Sequence, residues 1–82
     1  MRKITYDINW RDIPLAELVE IQSILDKKPS MTLAECSLWL QMSVSGVKNL
    51  VKKGKVVTYH PFGGKHIRVD TEATRKLLRR AK

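Results

Sequence analysis

The sequence predicts a small α+β fold in which three helical segments lead into a β-hairpin and a last helix. Apolar residues recur with helical spacing over roughly residues 13–27, 31–41 and 44–53. Two stretches rich in β-forming residues, KVVTYH and KHIRV, flank the turn residues PFGG, and this pattern is typical of a hairpin. A chain of 82 residues is expected to form one domain.

Positive charge is concentrated in the second half of the chain. Sixteen Lys and Arg against eight Asp and Glu give a net charge of +8, yet residues 1–41 carry −1 and residues 42–82 carry +9. This asymmetry favours a surface that binds a polyanion such as nucleic acid. A basic surface that serves only solubility is the alternative.

Several classes of protein are not expected. No apolar run has the length of a membrane span, and the first residues lack the apolar region of a secretory signal. Cys36 is the single cysteine, so we expect a small buried residue in a reducing intracellular compartment, without a disulfide or thiolate cluster. His60 and His66 lack a nearby ligand set, so no metal is expected. No catalytic triad, phosphate-binding glycine loop or carboxylate pair stands out, so we expect neither an enzyme nor a cofactor.

The N-terminal part of the chain predicts an arm followed by a helix. Ile4, Tyr6 and Ile8 alternate, which indicates a short strand or an ordered arm, and Trp10 continues the period. We expect Trp10 to pack in the core, with anchoring of a partner as the alternative. Asp12 suits the cap region of the helix. The apolar stripe of this helix consists of Leu15, Leu18, Val19, Ile21, Ile24 and Leu25.

Capping signals define two helices in the middle of the chain. Thr32 and Glu35 form a T-x-x-E capping box at the start of the second helix. This helix is apolar on two sides, so we expect two covers, the N-terminal helix packed on one side and the third helix on the other. A break follows at 41–43, where Ser43 is the natural cap of the third helix. Gly54 is placed to end that helix in a left-handed conformation. Two helices joined by a short turn have the layout of a helix-turn-helix.

The third helix has an apolar side and a polar side. The apolar side consists of Val44, Val47, Leu50 and Val51. The polar side consists of Ser45, Lys48, Asn49 and Lys52, at the spacing i, i+3, i+4, i+7. A helix that enters a major groove needs this mixture, because lysine reaches phosphates or guanine acceptors and asparagine pairs bidentately with adenine. Ser45 and Gly46 are small enough to let the backbone approach a duplex; the alternative is an ordinary helix with a solvated basic side.

The hairpin and the last helix add further basic residues. Arg68 is a candidate for a phosphate or a narrow minor groove, and its alternative is a surface pair with Asp70 or Glu72. Glycine at the tip allows a tight turn. The residues assigned to this part of the surface are His60, Gly63, Gly64, Lys65, His66 and Arg68. Asp70 or Thr71 is expected to cap the last helix. Its outward residues, which can touch DNA, bind a protein partner or only raise the local potential, are Arg75, Lys76 and Arg79.

Residues 31–70, MTLAECSLWLQMSVSGVKNLVKKGKVVTYHPFGGKHIRVD, resemble the winged helix-turn-helix of the MerR-like and phage-excisionase-like group. Domains of that group read as a capped helix, a turn, a serine-started recognition helix that ends in glycine, and a glycine-containing wing followed by basic residues. This chain has Gln41 in the turn, where the group commonly has glycine. The resemblance implies a small winged helix-turn-helix domain with an extra N-terminal helix and a C-terminal helix after the wing. The single domain 1–82 then divides into an arm and helix (1–30), the helix-turn-helix (31–54), the wing (55–70) and the C-terminal helix (71–82).

The resemblance also implies sequence-specific binding to double-stranded DNA. The wing would reach phosphates or the neighbouring minor groove, and the recognition helix would contact DNA through Ser43, Ser45, Gly46, Lys48, Asn49, Lys52 and Lys53. By analogy, the chain would be an excisionase-like architectural factor of a phage or mobile element, acting on DNA in the prokaryotic cytoplasm. Such a factor binds repeated sites cooperatively, bends the DNA and directs an integrase or other recombinase. The alternatives are a small phage-type transcriptional repressor and, from another class, a protein-interaction module that docks on an acidic partner.

Overall fold

In the computed structural model the described residues are 4–5, 7–61, 64 and 67–80, with the backbone alone described for 79–80. Within these residues the chain forms four α-helices and a three-stranded antiparallel sheet, so the predicted α+β class is confirmed. The helices are α1 (Leu15–Lys27), α2 (Leu33–Leu40), α3 (Val44–Lys52) and α4 (Thr71–Arg80). The strands are β1 (Ser30–Met31), β2 (Thr58–Tyr59) and β3 (Arg68–Asp70).

The segment before α1 forms a 3-10 turn, Trp10–Asp12, and the described residues around it form no strand. Asn9 caps this turn, because its side-chain oxygen accepts the N–H of Arg11 at 3.0 Å. Asp12 therefore lies inside the turn. The sequence pattern placed it in the cap region of α1, but α1 has no side-chain capping bond. Pro14 precedes α1 without any side-chain capping bond, and its missing N–H removes one donor that would otherwise need a partner there.

Helix α1 buries only half of its predicted apolar stripe. Leu18, Ile21 and Leu25 are buried in the core, whereas Leu15 is 71% exposed and Val19 is 55% exposed. The apolar stripe read from the sequence is therefore only partly buried. The physical reason is that α1 packs mainly on α2, and a single neighbouring helix covers a narrow strip of a helix surface.

Helix α2 is the central helix of the domain. Its predicted capping box is present, since Thr32 Oγ1 accepts the N–H of Glu35 at 3.0 Å and Glu35 Oε1 accepts the N–H of Thr32 at 2.9 Å. It packs on α1 and on α3, which confirms the two covers predicted for it. Cys36 is fully buried, and burial raises the pKa of its thiol to about 12. The thiol therefore stays protonated and acts as a small packing group.

The turn between α2 and α3 has a defined geometry. Gln41 adopts the left-handed conformation with φ 55°, its N–H donates to the Leu38 carbonyl at 3.3 Å, and the N–H of Met42 donates to the Ser37 carbonyl at 2.9 Å. This pair of bonds is a Schellman motif, in which glycine is the favoured residue at the left-handed position. Gln41 thus takes a backbone conformation that glycine would adopt without a steric penalty.

The sheet joins the start of α2 to the hairpin. The strand order is β1–β3–β2, with Met31 opposite Val69 on one side and Thr58 opposite Val69 on the other. The predicted hairpin is confirmed where β2 pairs with β3. Just before β2, the Val57 carbonyl accepts the N–H of Asp70 at 2.8 Å and the Val57 N–H donates to Thr74 Oγ1 on α4 at 3.0 Å, which ties the base of the hairpin to α4.

Helix α4 begins at its predicted cap and closes the other end of the domain. Asp70 Oδ1 accepts the N–H of Ala73 at 3.0 Å, so Asp70 is the capping residue. The most buried residues of α4 are Thr71 and Thr74, and Leu77 is only half-buried. Among the helices in the described part of the chain, none combines the length and apolar character that crossing a membrane requires.

Candidate nucleic-acid interface

Helix α3 presents its polar side to solvent. Val47 is fully buried and Leu50 is half-buried against the core, so the apolar side faces α2 as the periodicity predicts. The polar side chains, all of which are exposed, belong to Ser45, Lys48, Asn49 and Lys52. Side chains on this face are therefore free to contact a large ligand.

The basic residues of this face have no acidic partners within the described chain. Only two carboxylates lie in residues 42–82, and both are on or beside α4. Asp70 caps α4, and Glu72 lies 3.6 Å from the ammonium of Lys76. Among the described residues of this half of the chain, the exposed lysines without a carboxylate partner are Lys48, Lys52, Lys53 and Lys55. Lys55 was missed among the predicted contacts, although the run KKGK places it next to Lys53 in the sequence.

Both ends of α3 are fixed by local interactions. Ser43 Oγ accepts the N–H of Gly46 at 3.0 Å, which confirms Ser43 as the cap. Gly54 has φ 75°, its N–H donates to the Val51 carbonyl, and Lys55 donates to the Leu50 carbonyl, so α3 ends in a second Schellman motif. Capping at both ends fixes the backbone of α3, so the helix itself would lose little backbone freedom on binding a ligand.

Gly46 has a packing role besides the one predicted for it. It is half-buried, and a Cβ at this position would lie 3.1 Å from the Cε of Met42 in the preceding turn. That contact is tight, but the thioether methyl at the end of a flexible side chain can move by a few tenths of an ångström. The packing at Gly46 would therefore tolerate an alanine with a small shift of the Met42 side chain.

The hairpin tip is described in part. His60 is exposed, and its Nδ1 lies 3.2 Å from the Gly64 carbonyl oxygen, while the N–H of Gly64 donates to the Pro61 carbonyl at 3.1 Å. Because a carbonyl oxygen only accepts, a hydrogen bond at this contact requires a hydrogen on Nδ1 of the ring. The other predicted tip contacts, Gly63, Lys65 and His66, lie outside the described residues.

Arg68 lies at the base of the hairpin, where it is half-buried. Its Nη2 donates to Ser30 Oγ on the neighbouring strand at 3.0 Å, so it pairs with neither Asp70 nor Glu72.

Glu35, at the start of α2, has a shifted pKa. Burial acts to raise the pKa of its carboxyl. Hydrogen bonds from Thr32 and Lys28, together with the charges of Lys28 and Arg68, outweigh burial and lower this pKa overall.

The three basic residues predicted on the outer side of α4 differ in their surroundings. Arg75 donates to Asp26 Oδ1 from Nε at 3.2 Å and from Nη2 at 2.8 Å, and it also donates to the Asp26 backbone carbonyl. It therefore ties α4 to the end of α1. Lys76 is exposed beside Glu72, and the side chain of Arg79 lies outside the described residues. No three His, Cys, Asp or Glu side chains in the described ranges are grouped so that they could hold a metal ion.

Comparison of the chain with protein-family models, with curated proteins and with solved structures found no match. The candidate interface is therefore described by its own features: within the described residues, an exposed helix face with four unpaired lysines on and after it, followed along the chain by a β-hairpin.

Proposed function

We propose that this chain is a winged helix-turn-helix protein that binds double-stranded DNA and performs no catalysis. The observation that carries the proposal is the exposed side of α3, where lysine, asparagine and serine side chains face solvent without carboxylate partners. This is the chemistry that a duplex requires, since lysines neutralise phosphates and an amide can pair with a base edge.

The dimensions of α3 support the same function. Its nine residues span about 13 Å at a rise of about 1.5 Å per residue, and a helix is about 10–12 Å wide with side chains. The major groove is about 12 Å wide and admits such a helix. In this arrangement Ser45 and Asn49 would contact base edges, and Lys48 and Lys52 would contact phosphates or guanine.

The neighbouring elements support the winged form of the motif. Residues 41–43 make a short turn between α2 and α3, and the β2–β3 hairpin follows α3. Strand β1 pairs with β3, so the base of the hairpin is attached to the start of α2. Through His60, Arg68 and the predicted tip residues, this hairpin would contact the backbone or the adjacent minor groove.

Within DNA binding, the resemblance of residues 31–70 favours an excisionase-like architectural factor. Such a protein would occupy repeated sites cooperatively, bend the DNA and direct an integrase. A bend of this kind costs roughly 1–6 kcal/mol, and phosphate contacts from several cooperating copies could offset it.

A small repressor is the second candidate, and the exposed part of α1 favours it. Leu15 and Val19 are apolar and largely uncovered, so they offer a place for two copies to meet. A dimer built on α1 would prefer an inverted repeat. Footprinting separates the two roles, because head-to-tail repeats indicate directionality control and a palindrome over a promoter indicates repression.

An interaction module would dock on an acidic protein through the basic half of the chain as a whole, without depending on the side of α3 that would read bases. Replacing Lys48 and Asn49 by alanine would then leave partner binding intact, and duplex binding would be no stronger than that of any basic protein of similar charge.

Selection from a randomised duplex pool tests the proposal. We expect the wild-type chain to enrich a defined sequence, and the double variant Lys48→Ala/Asn49→Ala to lose that enrichment while Lys27→Ala keeps it. Lys27 is exposed at the end of α1 and serves as the charge-matched control. A pool that emerges unenriched with the wild-type chain would contradict sequence-specific binding.

A further inference from the structure

An open cleft of about 670 Å³ separates the segment before α1 from the start of α3. Trp10 and Arg11 line one wall, and Met42, Ser43 and Ser45 line the other. Because Ser45 also belongs to the exposed side of α3, the cleft opens onto the surface that we assign to DNA. Residues from outside the helix-turn-helix therefore border that surface.

Arg11 is held in a defined position at the edge of this cleft. Its guanidinium carbon lies 5.4 Å from the centroid of the Trp10 ring, and Trp10 itself packs against the core. The backbone is fixed on both sides, since Asn9 caps the 3-10 turn and Ile13 is buried. Arg11 is exposed and forms no ion pair with any carboxylate in the described ranges. A guanidinium that lies over a tryptophan ring keeps its N–H groups available in a planar fork.

We propose that Arg11 binds a phosphate of the DNA backbone next to the N-terminal end of α3, so that the 3-10 turn extends the DNA interface. This inference rests on the proposed function. A helix in the major groove has the two sugar-phosphate backbones at its flanks, and a residue that shares a cleft with Ser43 and Ser45 lies on the side of one of them. The fork geometry of arginine matches phosphate oxygens, and the stacked side chain has less freedom to lose.

Acidic residues near Arg11 are expected to weaken the binding of a phosphate that Arg11 would strengthen. Asp7 lines the same cleft, and Asp12 follows Arg11 in the turn. A carboxylate beside a phosphate repels it, so Asp7→Asn is expected to strengthen DNA binding at low salt. The inference thus predicts changes of opposite sign for two substitutions on one wall of the cleft.

The experiment measures duplex affinity against salt concentration for the wild-type chain, Arg11→Ala, Arg11→Lys, Asp7→Asn, the α3 variant Lys48→Ala and the control Lys27→Ala. For Arg11→Ala we expect affinity for selected and random duplexes to fall equally, by about fivefold to tenfold at low salt, and the salt slope to decrease by about 0.9. The duplex affinity of Arg11→Lys should lie between those of the wild-type chain and Arg11→Ala, because lysine keeps the positive charge but lacks the planar pair of N–H donors of arginine. Lys27→Ala should keep the wild-type slope, and thermal melting should show that every variant is folded.

A second measurement locates the contact. Neutral methylphosphonate groups are placed one at a time along the backbone of the selected duplex. One substitution at the edge of the site should weaken binding by the wild-type chain and leave binding by Arg11→Ala unchanged. If Arg11→Ala keeps the wild-type salt slope while Lys48→Ala lowers it, this inference is wrong and the proposed function stands. If the wild-type chain shows no duplex preference at all, both are wrong.

Discussion

Asn49 and Lys52 share the exposed side of α3, but we assign them different roles. Asn49→Ala should relax base preference at one position by about 1–3 kcal/mol, because it removes a bidentate contact to a base edge. Lys52→Ala should weaken binding to every sequence and lower the salt slope by about 1. Affinities for selected and random duplexes, measured at several salt concentrations, separate the two effects. Equal losses on both duplexes for both variants would argue against the assigned roles.

Gly46 allows packing and DNA approach to be tested separately. Alanine there would gain about 1 kcal/mol of helix propensity, and only the flexible Met42 side chain has to move. We therefore expect Gly46→Ala to fold with unchanged or slightly higher stability and to bind the selected duplex more weakly. The control is Gly54→Ala, which has open space for a Cβ but a φ of 75°, and should destabilise the fold by about 1 kcal/mol. Unchanged duplex affinity for Gly46→Ala would contradict the expectation that Gly46 lets the backbone of α3 approach the duplex closely.

At the scale of elements, the turn between α2 and α3 stores conformational strain at Gln41. A non-glycine residue in the left-handed region costs roughly 1–2 kcal/mol, and glycine loses about 0.5–1 kcal/mol more backbone entropy on folding. Gln41→Gly should therefore raise the free energy of unfolding by about 0.5 kcal/mol. In an 82-residue domain this corresponds to a rise in Tm of about 2–4 °C. A lower Tm would mean that the Gln41 side chain stabilises the turn.

The start of α2 makes stability depend on pH. The pKa of Glu35 is lower in the folded chain than its ordinary value of 4.5, so protons bind more tightly to the unfolded chain. The contribution of this carboxylate to the free energy of unfolding is complete above about pH 4.5, and it is lost as the pH falls through the pKa of the folded chain. Glu35→Gln keeps an acceptor for the capping box but removes the charge. Urea unfolding between pH 6 and pH 3 should show a flatter acid limb for the variant, and parallel curves would exclude Glu35 as a source of the slope.

The sequence predicts elements well where the signal is local. The capping box at Thr32, the cap at Ser43 and the terminating Gly54 each act within a few residues, and all three are found as predicted. The sequence predicts poorly those features that depend on contacts between residues far apart in the chain. The apolar pattern of α1 cannot tell how many neighbours cover it, so the exposure of Leu15 was missed, and nothing near Arg75 in the sequence indicates its pairing with Asp26.

At the scale of the whole molecule, charge is divided between two parts of the fold. Five of the eight acidic residues lie on or before α1, whereas four exposed lysines without a carboxylate partner in the described chain lie on α3 and in the three residues after it. The pair between Arg75 and Asp26 joins the basic last helix to the end of α1 and leaves the lysines of α3 free. Under the proposed function, we expect this uneven charge to orient the chain on DNA.

The most direct test of the central claim is the pattern of amide chemical shifts when the selected duplex is added to the full chain. We predict the largest changes along the exposed side of α3, at Ser45, Lys48, Asn49 and Lys52, with smaller changes in the hairpin. The outer side of α1, around Val19 and Glu20, should stay unchanged. Shifts that concentrate on α1 and spare α3 would contradict the account.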